Sequence, residues 1–230
     1  MSGINTFNHG VHPREFKQLS GNSPIERMPF VEEYILPLGQ HIGAPSIPIV
    51  SKGQRVRRGE KIADPGGFVS VALHAPVDGV VTYIGLTSNP SGHATPAIRI
   101  KADPFSSQTL MEREKTGLDE LDVKSFISEV QQAGIVGLGG AAFPAHVKFS
   151  IPEGKNCRFL ILNGCECEPF LTSDHRVMLE YPDRLLNGVE ILNRFIGAEK
   201  VFIGIENNKQ DAIAALRERI VQRGLDIAVH

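Results

Sequence analysis

Hydrophobic patterning changes once along this 230-residue chain, between residues 102 and 118, and that change limits the folds open to it. Before it, apolar runs are short and broken by Gly and Pro. Val31–Leu36, Ile47–Val50, Lys61–Ala63, Phe68–Leu73, Gly79–Ile84 and Ala97–Lys101 each have strand length and composition. Turns at this spacing predict a small β barrel or sandwich. After the change, Leu118, Leu121, Phe126, Ile127 and Val130 fall near one stripe of a helix over Leu118–Gln132. Asp119 or Asp122 suits its cap, and Gly134 suits a left-handed residue past its end. Strand-like Phe159–Leu162 then precedes a helix over Pro182–Ile196, a strand over Val201–Ile205, a helix over Asp211–Arg223 and a strand over Leu225–Val229. Such alternation predicts a doubly wound, mostly parallel α/β sheet, with Phe159–Leu162 as a buried strand. The expected domains are an extended arm (1–30), a β domain (31–102), a polar linker (103–117) and an incomplete α/β domain (118–230).

Within the α/β half, the stretch Gly134–Lys148 reads GIVGLGGAAFPAHVK. Gly137, Gly139 and Gly140 lack a Cβ, so the backbone can take positive φ and a flat or charged ligand can approach its N–H groups. Pro144 suits the first position of a helix, whose positive end would face the glycines and favour a phosphate within reach of Lys148. The spacing is neither the dinucleotide fingerprint nor a P-loop. A plain glycine-rich turn that lets a helix pack closely is the competing reading.

Further on stands Asn163-Gly164-Cys165-Glu166-Cys167-Glu168-Pro169. Glu166 and Glu168 alternate, so on a strand both would face one side. Cys165 and Cys167 form C-x-C, but metal or redox use needs further ligands, and no C-x-x-C occurs. Asp174-His175-Arg176 suits structural hydrogen bonding better than acid–base chemistry. In the arm, His9 and His12 have nothing to complete a metal site, and Phe7, Phe16 and Leu19 are candidate anchors. No catalytic residue and no metal ligand is assigned.

Composition excludes some classes. A net charge of −2 argues against bulk nucleic-acid binding, and the chain has no apolar run of membrane-spanning length. The N-terminus lacks the regions of a signal peptide, and three cysteines without framework spacing suit a reducing compartment. A cytoplasmic protein is expected, with any membrane association made through a partner.

Several motifs carry resemblances. Ser51–Ile62 and His74–Val81 resemble the two halves of a lipoyl or biotinyl domain, which implies a barrel-sandwich hybrid. The turn between them, Asp64-Pro65-Gly66-Gly67-Phe68, has no lysine for a swinging arm, so a docking or structural role is expected. Gly137–Pro144 with Lys148, followed by Asn163-x-x-Glu166-x-Glu168-Pro169, resembles the flavin- and NADH-binding core of the flavoprotein of respiratory complex I. Departures are Leu138, where that family has arginine, and Cys165, where it has aspartate.

A fuller match covers nearly all of the chain. Gly10–Pro13, Leu38–Gly43, His74–Val81, the glycine loop, Cys167–Pro169, Thr172–Arg176 and Ile205–Lys209 together resemble the C component of the Rnf electron transport complex. Ala142 stands where that family usually has glycine. The resemblance implies a barrel-sandwich hybrid followed by a Rossmann-like parallel α/β sheet, truncated here. It implies one component of a membrane-bound, ion-translocating ferredoxin:NAD oxidoreductase at the cytoplasmic face of the inner membrane. The implied cofactors are FMN and NAD(H), with [4Fe-4S] clusters only in a C-terminal part beyond this chain. The implied partners are other subunits, NADH, and ferredoxin through the complex. The implied cofactor-binding residues are Gly137, Gly139, Gly140, Phe143, Lys148, Asn163, Glu166 and Glu168. In the complex I family the matching asparagine contacts flavin, the matching phenylalanine stacks on adenine and the acidic residues lie near the nicotinamide. A non-catalytic docking module of the same complex is the alternative, as is a related flavoprotein such as a cobalamin reductase.

Overall fold

Two sheets of short antiparallel strands face each other across an aliphatic core in the first unit of the computed structural model, which describes residues 14–88, 92–112, 117–138 and 140–230. By contact the chain divides into two units, residues 28–155 and a second formed by the residues up to Arg27 together with 156–230.

In the 28–155 unit, β1 (Glu33–Pro37), β7 (Ala94–Ala102), β6 (Gly79–Ser88) and β3 (Arg55–Val56) form one sheet in that order. The second sheet orders β2 (Ile47–Pro48), β4 (Lys61–Asp64) and β5 (Leu73–His74). Alternation along β6 and β7 turns Val81, Ile98 and Ile100 inward, against Val56, Ile62 and Val77. Each such fully buried side chain contributes about 1.5–3 kcal/mol relative to exposure. At Gly79 an added Cβ would lie 2.2 Å from the Lys101 carbonyl oxygen, so the β6–β7 pairing leaves no room there for a side chain.

Two expectations shift. Phe68–Leu73 shortens to Leu73–His74, because residues 65–70 form a turn rather than pairing. The polar segment after residue 102 is fastened to the β strands. Gln108 is buried; its Oε1 accepts from the Asp78 N–H at 2.7 Å, and its Nε2 donates to the Asp103 carbonyl at 3.1 Å.

The helix expected from residue 118 begins at Val123. Residues 118–120 are a single 3-10 turn, and Asp122 caps α1 (Val123–Gln132) by accepting from the Ser125 N–H at 2.7 Å. By contact α1 groups with the β strands: the Ala72 N–H donates to the Gln131 carbonyl at 3.2 Å, and Lys61 Nζ to Gln132 Oε1 at 3.1 Å. Gly134 takes φ +75°, as its place past the helix end predicts. A short helix, α2 (Ala145–Phe149), closes this unit's ordered elements.

In the second unit, β8 (Phe159–Asn163), β9 (Lys200–Gly204) and β10 (Ile227–Val229) run parallel in sequence order. Helices α3 (Ser173–Glu180) and α4 (Pro182–Ile196) link the first pair of strands, and α5 (Gln210–Arg223) the second. Leu162, Ile203 and Val229 meet Met178, Leu186, Ala212, Leu216 and Ile220 in one core. The strand β8 is buried on that face alone. On its other face Phe159 and Ile161 are exposed, Ile161 at 69%. A continuous apolar run therefore belongs here to a sheet covered by helices on one side.

The N-terminal segment is part of this unit. Phe16 stacks on Phe170 with ring centroids 5.0 Å apart, the Phe170 N–H donates to the Glu15 carbonyl at 2.8 Å, and the Ile25 N–H donates to Glu180 at 3.1 Å. Of the expected anchors Phe16 engages and Leu19 stays exposed, while Phe7, His9 and His12 lie outside the described residues.

Candidate functional site

The glycine loop lies in the 28–155 unit and is held by its own backbone. The Gly137 N–H donates to the Phe143 carbonyl at 2.8 Å, and the Ala145 N–H to the Ile135 carbonyl at 3.0 Å. These bonds, with a bridge between Val136 and Pro144, join the two sides of the loop just ahead of α2. Pro144 stands just before the helix rather than as its first residue, with ψ 120°. Ala142 takes φ +44°, a left-handed conformation that glycine adopts without cost.

The structure brings Gly137, Phe143 and Lys148 together. Lys148 Nζ sits 5.8 Å from the centroid of the Phe143 ring, and a Cβ at Gly137 would lie 3.2 Å from that same ammonium. Gly140 faces open space, Lys148 is exposed and Phe143 is half-buried. Gly139 lies outside the described residues.

The acidic segment lies in the other unit, at the C-terminal end of β8. Asn163 is the last residue of the strand, paired with Gly204, and its Oδ1 accepts from the Cys165 N–H at 3.1 Å. The Gly164 N–H donates to the Gly204 carbonyl at 2.8 Å, and a Cβ there would come within 3.0 Å of that oxygen. The backbone thus turns sharply out of the sheet, which leaves Asn163 and Glu168 exposed and sends Glu166 inward.

Glu166 is 2% exposed. Its carboxylate accepts from the Asp174 N–H at 2.6 Å and the His175 N–H at 3.4 Å, at the start of α3. Two open amides and the helix dipole suit a carboxylate there. Lys209, also 2% exposed, places Nζ 3.5 Å from Glu166 and bonds Glu206 closely. From the N-terminal segment, Lys17 reaches the Glu166 carbonyl oxygen and sits 3.5 Å from Glu206.

Two ammonium groups and two carboxylates therefore balance inside the protein. Burial alone would lower the pKa of Lys209, but the bonds to Glu206 and Glu166 outweigh it and hold the ammonium above its ordinary range. Burial opposes ionisation of Glu206 as well, and its bond to Lys209 overrides that, so its carboxyl is held low. Asp174 shifts the other way, raised by burial and by the nearby Glu166 charge. The Cys165 thiol is also pushed up, by burial and then by Glu206, which leaves it a weak nucleophile.

Sequence reasoning singled out Glu166 and passed over Lys17, Glu206 and Lys209 as parts of one cluster. A signal was present: Glu166 and Glu206 each stand just past the end of a strand. His175 Nε2 bonds Asp211 at 2.9 Å and Arg176 bonds Glu180 at 2.6 Å, as structural hydrogen bonding predicts. Among the described residues, no group of three or more His, Cys, Asp or Glu is arranged to hold a metal ion, and no helix is long and apolar enough to cross a membrane.

Comparison with known proteins matches residues 5–104 to the RnfC barrel sandwich hybrid domain and residues 130–230 to the Nuo51 FMN-binding domain. The chain is 41% identical, over 94% of its length, to the C component of the proton-translocating ferredoxin:NAD(+) oxidoreductase complex of Clostridium ljungdahlii. It is 40% identical, over 94%, to the same component of the Na(+)-translocating complex of Acetobacterium woodii. It is 39% identical, over 97%, to that of the ion-translocating oxidoreductase complex of Pseudomonas aeruginosa. It spans 47%, 48% and 29% of those three proteins. The chain thus matches the RnfC barrel sandwich hybrid domain and the Nuo51 FMN-binding domain in that order, and over nearly its whole length it is similar to part of these C components.

Proposed function

We propose that this chain carries the FMN- and NADH-facing region of the RnfC component of an ion-translocating ferredoxin:NAD oxidoreductase complex. The observation that carries the proposal is the FMN-domain match over residues 130–230, which holds both the glycine loop and the Asn163–Pro169 segment. The names of the relatives support the complex-level part: each is the C component of an ion-translocating oxidoreductase complex.

The residues present suit FMN. Lys148 is an exposed cation perched over a backbone without Cβ atoms, which fits a phosphate. Gly137, Gly139 and Gly140 are assigned to its approach. The Phe143 ring holds the Lys148 ammonium from one side and is the assigned stacking surface for adenine. In the other unit, Asn163 presents an amide at the carboxyl end of a parallel strand, where open α/β sheets take ligands, and is assigned to the ribityl or ring edge. Exposed Glu168 is assigned to the nicotinamide side. Buried Glu166 shapes the turn that presents both. When bound, FMN supplies hydride acceptance and electron release. The chain's own part is to bind, orient and neutralise.

The expected domains are retained in this reading as family units: a barrel-sandwich hybrid over 31–102 and a Rossmann-like FMN/NADH domain from 118 on. Three parallel strands with helical links support the second. Iron–sulfur clusters, ferredoxin and the other subunits belong to the assembled complex, which this chain joins peripherally on the cytoplasmic side.

Titration of the purified chain with FMN, followed by flavin fluorescence, tests the site. Tight binding that weakens about a hundredfold in Lys148→Ala and in Gly137→Val is expected, since a charge-assisted phosphate contact is worth about 1.5–3 kcal/mol. Binding unchanged in both variants would remove the phosphate from the glycine loop.

A further inference from the structure

The turn at residues 65–70 joins β4 to β5, and polar side chains from both ends of the glycine loop bond to its carbonyl oxygens. On the N-terminal side of the loop, Gln131 Nε2 donates to the Ser70 carbonyl at 3.0 Å and the Gly67 carbonyl at 3.3 Å. On the C-terminal side, His146 in α2 is 1% exposed, and its Nε2 is 2.7 Å from the Phe68 carbonyl oxygen. Its ring meets the Phe68 ring edge-on, with centroids 5.8 Å apart at 84°.

A carbonyl only accepts, so Nε2 is the donor in this bond. Among the described residues, the buried Nδ1 has no hydrogen-bond partner. One donated bond to the turn therefore orients the buried ring. The turn is closed on itself and packed against a neighbour: the Gly66 N–H donates to Ser70 Oγ at 2.9 Å, and a Cβ at Gly66 would lie 1.9 Å from the Pro45 carbonyl oxygen.

We propose that Gln131 and His146 are positioning residues for the glycine loop, and that the 65–70 turn is the backbone seat that sets the loop's shape before FMN arrives. The proposal rests on the reading of the loop as the FMN phosphate site. Both ends of the loop are tied to one short turn, so its conformational freedom is spent on folding rather than on ligand binding. His146 and Lys148 are two positions apart on one helical turn, so a buried imidazole and an exposed ammonium point away from each other. Any rotation of α2 that frees His146 also moves the Lys148 ammonium.

Four variants and two readouts test this on the full chain: His146→Phe, His146→Gln, Gln131→Leu and, as the contact control, Lys148→Ala, with FMN titration and amide hydrogen exchange over residues 135–148. His146→Phe fills the volume but cannot donate, whereas glutamine restores an N–H. His146→Phe should weaken FMN binding about tenfold, the equivalent of one net hydrogen bond, and speed exchange across the loop. His146→Gln should recover most of both. Lys148→Ala should lose FMN with loop exchange unchanged, which separates positioning from contact.

Equal FMN affinity in His146→Phe and wild type, or unchanged exchange, overturns the proposal. If His146→Phe does not fold, Gln131→Leu decides by the same two readouts. If the wild-type chain binds no FMN, the phosphate reading fails by itself, and loop exchange in the variants still accepts or rejects the seat.

Discussion

The glycine loop and the acidic turn after β8 are both short, irregular segments, yet they are held by opposite means. The loop is held by main-chain geometry: a left-handed Gly134, two backbone bonds across the bend and side chains that reach carbonyl oxygens. The acidic turn is held by charge, with Glu166, Glu206, Lys17 and Lys209 gathered at the ends of two strands. Backbone bonds hold a shape without committing charge, so the loop keeps an exposed cation. A buried charge cluster holds a turn firmly, but each member depends on the others.

That dependence sets the largest expected effect. Lys209→Met leaves two carboxylates with one cation in a buried place and should cost about 3–5 kcal/mol in denaturant unfolding. Glu206 is held below its ordinary 4.5, so its contribution is present above that value and is lost as pH falls through the lowered one. Lys209 is held above 10.5, so its contribution is present below 10.5 and is lost as pH rises through the raised value. Wild-type stability should fall at both ends of the pH scale, and Lys209→Met should lose the alkaline limb. A variant as stable as wild type, with the same alkaline fall, would break the contrast between the two segments.

A smaller loss tests the backbone side. Alanine at Gly134 would need φ +75° and a Cβ 2.6 Å from the Ala72 carbonyl oxygen. Gly134→Ala should cost about 1–3 kcal/mol and loosen the glycine loop, with no change in pH dependence. Proteolysis together with a pH series of melts measures both parts. The smallest effect is a gain: Ala142→Gly relieves a φ of +44° and should raise stability by about 1 kcal/mol in the same melts. A loss there would mean that the Ala142 methyl packs more usefully than its backbone strains.

Much of the α/β order was legible because periodicity reports burial. The helix Pro182–Ile196 stands where expected, and the strand at 200–204 and the helix at 210–223 differ from expectation by one residue. Two-residue strands such as Arg55–Val56 are too short to show a period, and the start of α1 was set by a cap rather than by its apolar stripe. The bare side of β8 could not be read from Phe159–Leu162, because a run apolar at every position does not say which faces are covered. The glycine loop stood out because glycine is rare in so tight a group. The Lys17 contact with Glu206 did not, since its partners are 189 positions apart.

Residues 28–155 stand in sequence between the two parts of the α/β unit, and that has a consequence for synthesis. During elongation the strand pairs of 28–155, from the neighbouring β6 and β7 to the distant β1 and β7, can all close once residue 102 has emerged. The segment that holds Phe16 and Lys17 is made first, yet Phe170, Glu166 and Glu206 follow only with β8 and β9. The earliest residues therefore wait with an unpaired lysine and a bare aromatic ring while the whole intervening unit is built.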